Sequence, residues 1–181
     1  MTVPIEYIPN AVLHPEELFQ SLWNELDWVR HDKVPRREYY YNELGVPYTY
    51  GTPPYDRTYQ AQPLHKDIDY IRIAAESAAH CQLEVCFLNG YEDGQDQLGW
   101  HADNSPEMDD RKPIIIVSLG AEREIWFQDN DKTEEVTKLR LGHGSICVMK
   151  PGMQDTHKHR IPKSDRECGP RISLTFRGYV K

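Results

Sequence analysis

The second half of the chain is a succession of short β-rich runs, and this pattern limits the fold more than any other feature. LEVCFLNGY (83–91), PIIIVSLG (113–120), REIWFQD (123–129), TKLRLGHGSICVMKP (137–151) and RISLTFRGYV (171–180) are separated by turns, with no helical spacing of apolar residues between them. Such strands bury one face each only by stacking sheet on sheet, which gives a β-sandwich or jelly roll. Upstream, HPEELFQSLWNELDW (14–28) has Pro15 at the first helical position, early acids, and Leu18, Leu22 and Leu26 on one stripe with Phe19 and Trp23 beside them. KDIDYIRIAAESAAHC (66–81) repeats the pattern with Ile68, Ile71, Ala75 and Ala78. Two helices are therefore expected to buttress one sheet. Residues 34–63, dense in Tyr, Pro and Gly, read as an irregular segment with one or two short strands. At 181 residues the chain suits one domain, mostly β with flanking helices.

Charge and cysteine usage narrow the class. The net charge of −8 disfavours a polyanionic partner, yet residues 92–135 hold thirteen acids against four bases, leaving the remainder at +1. Basic residues cluster at Arg30, Lys33, Arg36 and Arg37 and again at Lys158, Arg160, Lys163 and Arg166; each cluster is either solvated surface or a phosphate-facing edge. Cys81, Cys86, Cys147 and Cys168 form no CxxC pair, which suits free thiols in a reducing compartment. The longest apolar run, Ile114–Val117, is far short of a membrane span, and the first residues show no secretory pattern. The expectation is a soluble intracellular protein, cytoplasmic or nuclear, with no membrane association.

One stretch carries chemistry: LGWHADNSPE (98–107), otherwise loop-like. On extended backbone, residues two apart point the same way, so His101 and Asp103 can converge on one point. The alternative is two polar residues sharing a turn. A third ligand is available downstream in DTHKHRIPK, as His157 or His159. Two histidines and a carboxylate with open positions are the facial triad of non-heme Fe(II) oxygenases. Arg171 and Arg177, six apart on one face of the last strand, offer a guanidinium clamp for a carboxylate; alternatively they pair with surface acids.

The ordered set Asn89-Gly90-Tyr91, His101-Ala102-Asp103, Ser118-Leu119-Gly120, His159-Arg160-Ile161-Pro162 and Arg171-Ile172-Ser173-Leu174-Thr175-Phe176-Arg177 resembles the AlkB-type Fe(II)/2-oxoglutarate dioxygenases, which remove alkyl groups from nucleic-acid bases. The resemblance spans roughly residues 83–178 and, upstream, Val34 to Gly51. It implies a double-stranded β-helix, with residues 1–82 forming N-terminal helices and a nucleotide-recognition lid and 83–181 the catalytic jelly roll. It implies Fe(II) held by His101, Asp103 and His159, with His157 the alternative third ligand, and 2-oxoglutarate and dioxygen (O2) as cosubstrates. Asn89 and Tyr91 would hydrogen-bond 2-oxoglutarate, Arg171 would pair with its distal carboxylate, and Arg177 would lie near the chelating one. Ser173 stands where several relatives have asparagine, which weakens or rearranges one cosubstrate contact.

The same resemblance makes VPRREYYYNELGVPYTYGT the lid. Tyr48 and Tyr50 would contact a base taken out of its stack, with Arg36 and Arg37 near its backbone, against the alternative of a tyrosine-rich loop packed on the barrel mouth. Where the family commonly follows the His-x-Asp pair with acids that help read the base, this sequence has Asn104, Ser105, Pro106 and Glu107; Asn104, which donates as well as accepts, is the candidate base contact there and implies a different base preference. The implied partner is alkylated DNA or RNA, single-stranded or with a flipped base, acted on by a monomer that releases formaldehyde, succinate and CO2. The rivals are a 2-oxoglutarate-dependent hydroxylase of another substrate, a silent nucleic-acid-binding module, and a zinc hydrolase.

Overall fold

The computed structural model describes residues 3–51, 53–54 and 56–180. In chain order the elements are β1 (Ile5–Ile8), α1 (Pro15–Glu25), β2 (Arg37–Asn42), β3 (Tyr48–Tyr50), β4 (Arg57–Tyr59), α2 (Lys66–Ala79), β5 (Val85–Tyr91), β6 (Leu98–His101), β7 (Ile114–Gly120), β8 (Arg123–Asp129), β9 (Thr137–Leu141), β10 (Ser145–Met149), α3 (Met153–Thr156), β11 (His157–Ile161) and β12 (Arg171–Arg177). A six-stranded sheet ordered β1-β10-β7-β12-β5-β2 faces a four-stranded sheet ordered β6-β11-β8-β9, and β3 and β4 form a separate hairpin. This is the expected jelly roll. Both edge strands of the larger sheet come from the N-terminal part of the chain. The 34–63 segment holds three strands, one of them, β2, built into the main sheet.

Alternation along each strand divides the core in two. On the outer face of the large sheet, Cys86 and Leu88, Ile115, Val117 and Leu119, and Ile172, Leu174 and Phe176 pack against Leu18 and Leu22 of α1 and Ile68, Ile71 and Ala75 of α2. On the inner face, Ile114, Ile116, Cys147 and Met149 meet Ile125, Phe127, Leu141 and Ile161 of the small sheet. Gly90 of β5 points outward beneath α1, where an added Cβ would lie 3.2 Å from Trp23 and 3.3 Å from Trp28. Its missing side chain lets those indoles lie on the sheet.

At the β2-β5-β12 end, the inner face is polar. Glu38, Asn89, Arg171, Ser173 and Arg177 are all buried there. A sheet interior that collects charged groups at one end and aliphatic ones at the other locates the site.

Candidate active site

Two strands, β6 with its exit and β11, bring the His-x-Asp pair and its third partner together. β6 ends at His101, and antiparallel pairing sets His101 directly opposite His159 on β11. The ring centroids of the two histidines are 4.2 Å apart. Asp103, two residues past the strand end, is held by its own backbone N–H, which donates to Gln154 Oε1 of α3 at 2.9 Å. His101, Asp103 and His159 each offer one donor atom, and all three atoms lie within 4.8 Å of one another. The stretch that reads as loop is thus partly strand, and His101 owes its aim to pairing with β11. His157 is also buried, but its Nδ1 engages Thr156 at 2.8 Å and it sits opposite Asp129, outside the cluster. Of the two histidines open for the third place, the fold brings His159 to the other two.

The protonation states suit a cation. Burial first, then the neighbouring His101, pushes His159 down to about 3, and burial likewise lowers His101, so both imidazoles are neutral. Burial would raise Asp103, but attraction to Arg177, reinforced by the histidines, wins and holds its carboxyl at about 2. Two neutral imidazoles and one carboxylate, already deprotonated, are what a divalent ion requires.

Arg177 Nη2 lies 3.4 Å from Asp103 Oδ1, so this arginine borders the cluster as expected. Arg171 is fully buried. Its Nη2 donates to Ser118 Oγ at 2.9 Å, and its guanidinium lies 5.3 Å from the Tyr91 ring centroid. Among the described residues, Nε and Nη1 of both arginines have no hydrogen-bond partner. Arg123 lies 5.4 Å from the same Tyr91 ring and is another buried guanidinium; it is satisfied by the carbonyls of Asp93, Asp96 and Pro162 rather than by a carboxylate. Burial pushes Arg171 down to about 10 against the pull of Tyr91, and Arg123 adds repulsion. A buried cation with free N–H groups and no anionic partner fits a carboxylate ligand. Sequence reasoning missed Arg123, because a lone arginine beginning REIWFQD carries no distinguishing pattern.

One cavity joins the His101, Asp103, His159 cluster and Arg177 to the β3-β4 hairpin; Arg171 lies behind its lining. It is bounded by Asn89, Tyr91, Ser173, Arg177, His101, Asp103 and His159, and across from them by Arg36, Glu38, Tyr48, Tyr50, Tyr59 and Phe87. Tyr48 stacks on Tyr59 with centroids 6.4 Å apart, and Phe87 meets Tyr59 edge-on at 4.9 Å. Tyr48 Oη and Ser105 Oγ are hydrogen-bonded at 2.7 Å, tying the lid hairpin to the loop after Asp103.

Three of the expected substrate contacts lie in different surroundings. Arg36 faces inward and is buried: its Nε donates to Asn89 Oδ1 at 2.7 Å and its Nη2 to Glu38 Oε1 at 2.9 Å. Arg37, one residue on, takes the opposite face, where it stacks 4.7 Å over Trp23 and pairs with Glu92 at 2.8 Å. Both guanidinium groups are thus engaged by protein partners. Asn104 opens onto a neighbouring cavity rather than the one holding Tyr48 and Tyr50. Asn89 does line the cavity, with its carbonyl oxygen already engaged by Arg36. Of the second basic cluster, Arg160 lies between Trp100 and Trp126, 5.6 and 5.5 Å from their rings.

Comparisons with known proteins show the family. The family model described as the 2OG-Fe(II) oxygenase superfamily matches residues 12–177. Mouse DNA oxidative demethylase ALKBH2 is 31% identical over 180 residues, covering 90% of this chain and 74% of that protein. Human alpha-ketoglutarate-dependent dioxygenase alkB homolog 3 is 30% identical over 176 residues, covering 90% of this chain and 59% of its own length. The solved structure of OsALKBH1 shares the fold, with a TM-score of 0.70 over 99% of this chain and 98% of that one at 14% identity.

Proposed function

The chain belongs to the 2OG-Fe(II) oxygenase superfamily, in its AlkB-type branch, and on that premise we propose that it is an oxidative demethylase of nucleic-acid bases. His101, Asp103 and His159 hold Fe(II), and Arg171 anchors 2-oxoglutarate. The observation that carries the reading is the joint placement in one cavity wall of a deprotonated two-histidine, one-carboxylate set and, on the far side, an aromatic box. When bound, the ferrous ion with 2-oxoglutarate and dioxygen supplies an oxidation that yields succinate and CO2 and places one oxygen atom on a methyl group.

The chain's own residues prepare that step. Asp103 contributes the single negative charge of the ligand set, and its 3.4 Å contact with Arg177 fixes the carboxylate's orientation. Arg171, steadied by Ser118 and carrying N–H groups on Nε and Nη1 that have no partner among the described residues, would pair with the distal carboxylate of the keto acid. Tyr91, Asn89 and Ser173 bound the keto acid's seat. Tyr48, Tyr59 and Phe87 receive the planar base; stacking of this kind contributes about 1–3 kcal/mol per base. A hydroxylated N-methyl group then releases formaldehyde and returns the nitrogen to the base. The reading includes a monomer acting in the cytoplasm or nucleus on a single-stranded or flipped base. The four unpaired cysteines support a reducing compartment, and no helix among the described residues is long and apolar enough to cross a membrane.

Incubation with Fe(II), 2-oxoglutarate, air and methylated oligonucleotides, DNA and RNA in parallel, is expected to give formaldehyde and succinate in equal amounts. A mass loss of one methyl should accompany them. Absence of formaldehyde from every methylated strand sinks the proposal. The acidic stretch 92–135 favours a second reading, hydroxylation of a peptide or small molecule, which succinate formation with peptide pools alone would select.

A further inference from the structure

Resting on the demethylase reading, we propose that Glu38 of β2 is the residue that reads the extruded base, selecting rings that present an amino group and a positive charge. Among the described residues lining the cavity, two carry a carboxylate, Asp103 and Glu38. Asp103 belongs to the metal set. The loop that follows it offers no acid to the cavity, since Asn104 opens elsewhere and Ser105 is engaged with Tyr48. Glu38 is 1% exposed and held from two sides: Arg36 Nη2 donates to Oε1 at 2.9 Å and Tyr59 Oη donates to Oε2 at 3.0 Å. Tyr59 in turn receives Arg57 Nε at 3.0 Å. The carboxylate is therefore attached to the same tyrosine that forms a wall of the aromatic box.

Two donors use about half of a carboxylate's acceptor positions. The rest can meet an N–H of a base seated against Tyr48, Tyr59 and Phe87. A buried ion pair such as Arg36–Glu38 is weak evidence of a stabilising role, because apolar residues of similar volume often do as well or better. Placed on a cavity wall, it supplies a fixed acceptor.

The chemistry of methylated bases makes this selective. Methylation of a ring nitrogen beside an exocyclic amine, as in 1-methyladenine and 3-methylcytosine, leaves a cation with an N–H donor on its edge. In 3-methylthymine the methylated nitrogen is flanked by two carbonyl oxygens and the ring is neutral. A carboxylate facing that edge attracts the first kind and repels the second.

The test compares kcat/KM for formaldehyde release from oligonucleotides carrying 1-methyladenine and 3-methylthymine, in wild-type protein and Glu38→Gln. The wild type is expected to prefer 1-methyladenine. In Glu38→Gln the preference should fall about tenfold or more, as for loss of one hydrogen bond to a charged acceptor, because a carboxamide keeps the shape and loses the charge. A structural role alone would lower both substrates together. An unchanged ratio, whether or not overall activity falls, overturns the proposal. Should Glu38→Gln fail to fold, Glu38→Asp retains the charge but withdraws it by one methylene, and the same ratio decides. A wild type that releases no formaldehyde from any lesion instead refutes the demethylase reading itself, so the two failures are distinguishable.

Discussion

On β12, Ile172, Leu174 and Phe176 turn toward α1 and α2, while Arg171, Ser173, Thr175 and Arg177 turn toward the small sheet; all seven are buried. The outward three meet aliphatic and aromatic partners and need nothing further. The inward face keeps two guanidinium groups whose Nε and Nη1 have no hydrogen-bond partner among the described residues. Equal burial thus has opposite consequences: one face stabilises the fold, and the other holds desolvated charge that its protein partners satisfy only in part.

The comparison breaks most completely at the metal set. In wild-type protein, Mn(II) with 2-oxoglutarate, without oxygen, should raise the melting temperature by about 5–10 °C at ligand near a hundred times Kd, where binding adds about 2.7 kcal/mol. His101→Ala should abolish that rise and reduce succinate formation to the level of a metal-free control. A thermal shift that survives in His101→Ala would remove this histidine from the ligand set.

The outward face should respond in the reverse sense. Leu174→Ala removes a side chain with no solvent exposure and leaves a cavity between sheet and helices, costing about 2–5 kcal/mol. For a chain of this size the melting temperature should drop by roughly 5–15 °C. Below the transition, the KM for 2-oxoglutarate should stay within about twofold of wild type, since cavity costs are local when neighbouring positions do not couple. A large rise in KM would show that the two faces are mechanically linked through the strand.

The period-two spacing of RISLTFR makes this division legible in the sequence, as does the helical stripe of 66–81. The His-x-Asp pair is legible too, because two residues on extended backbone must share a side. What the sequence leaves open follows from non-local pairing. Whether His157 or His159 completes the cluster depends on the register of β11 against β6, which sets His159 opposite His101 and which no local pattern specifies. Arg36 and Arg37 read alike as a basic pair, yet incorporation of β2 as an edge strand sends one into the cavity and the other onto Trp23. Glu38 reads as one more acid in an acidic chain until that same strand turns it inward. α3 is a single turn whose role, holding Asp103 through Gln154, has no periodicity to announce it.

The subtlest way to sharpen the contrast is Arg171→Lys, which keeps the charge on the inward face and removes the fork. Lysine presents one compact ammonium, whereas Arg171 keeps donors on both Nε and Nη1 in addition to the Nη2 held by Ser118. A dicarboxylate that relies on both N–H groups loses one charge-assisted hydrogen bond, so the KM for 2-oxoglutarate should rise about tenfold. Turnover at saturating cosubstrate should change less than about threefold, because this end of the ligand does not react. Stability should hardly move, since one buried cation replaces another. If KM is unchanged, the anchor is not Arg171, and Arg177, the other buried cation with free N–H groups, becomes the group that holds the keto acid.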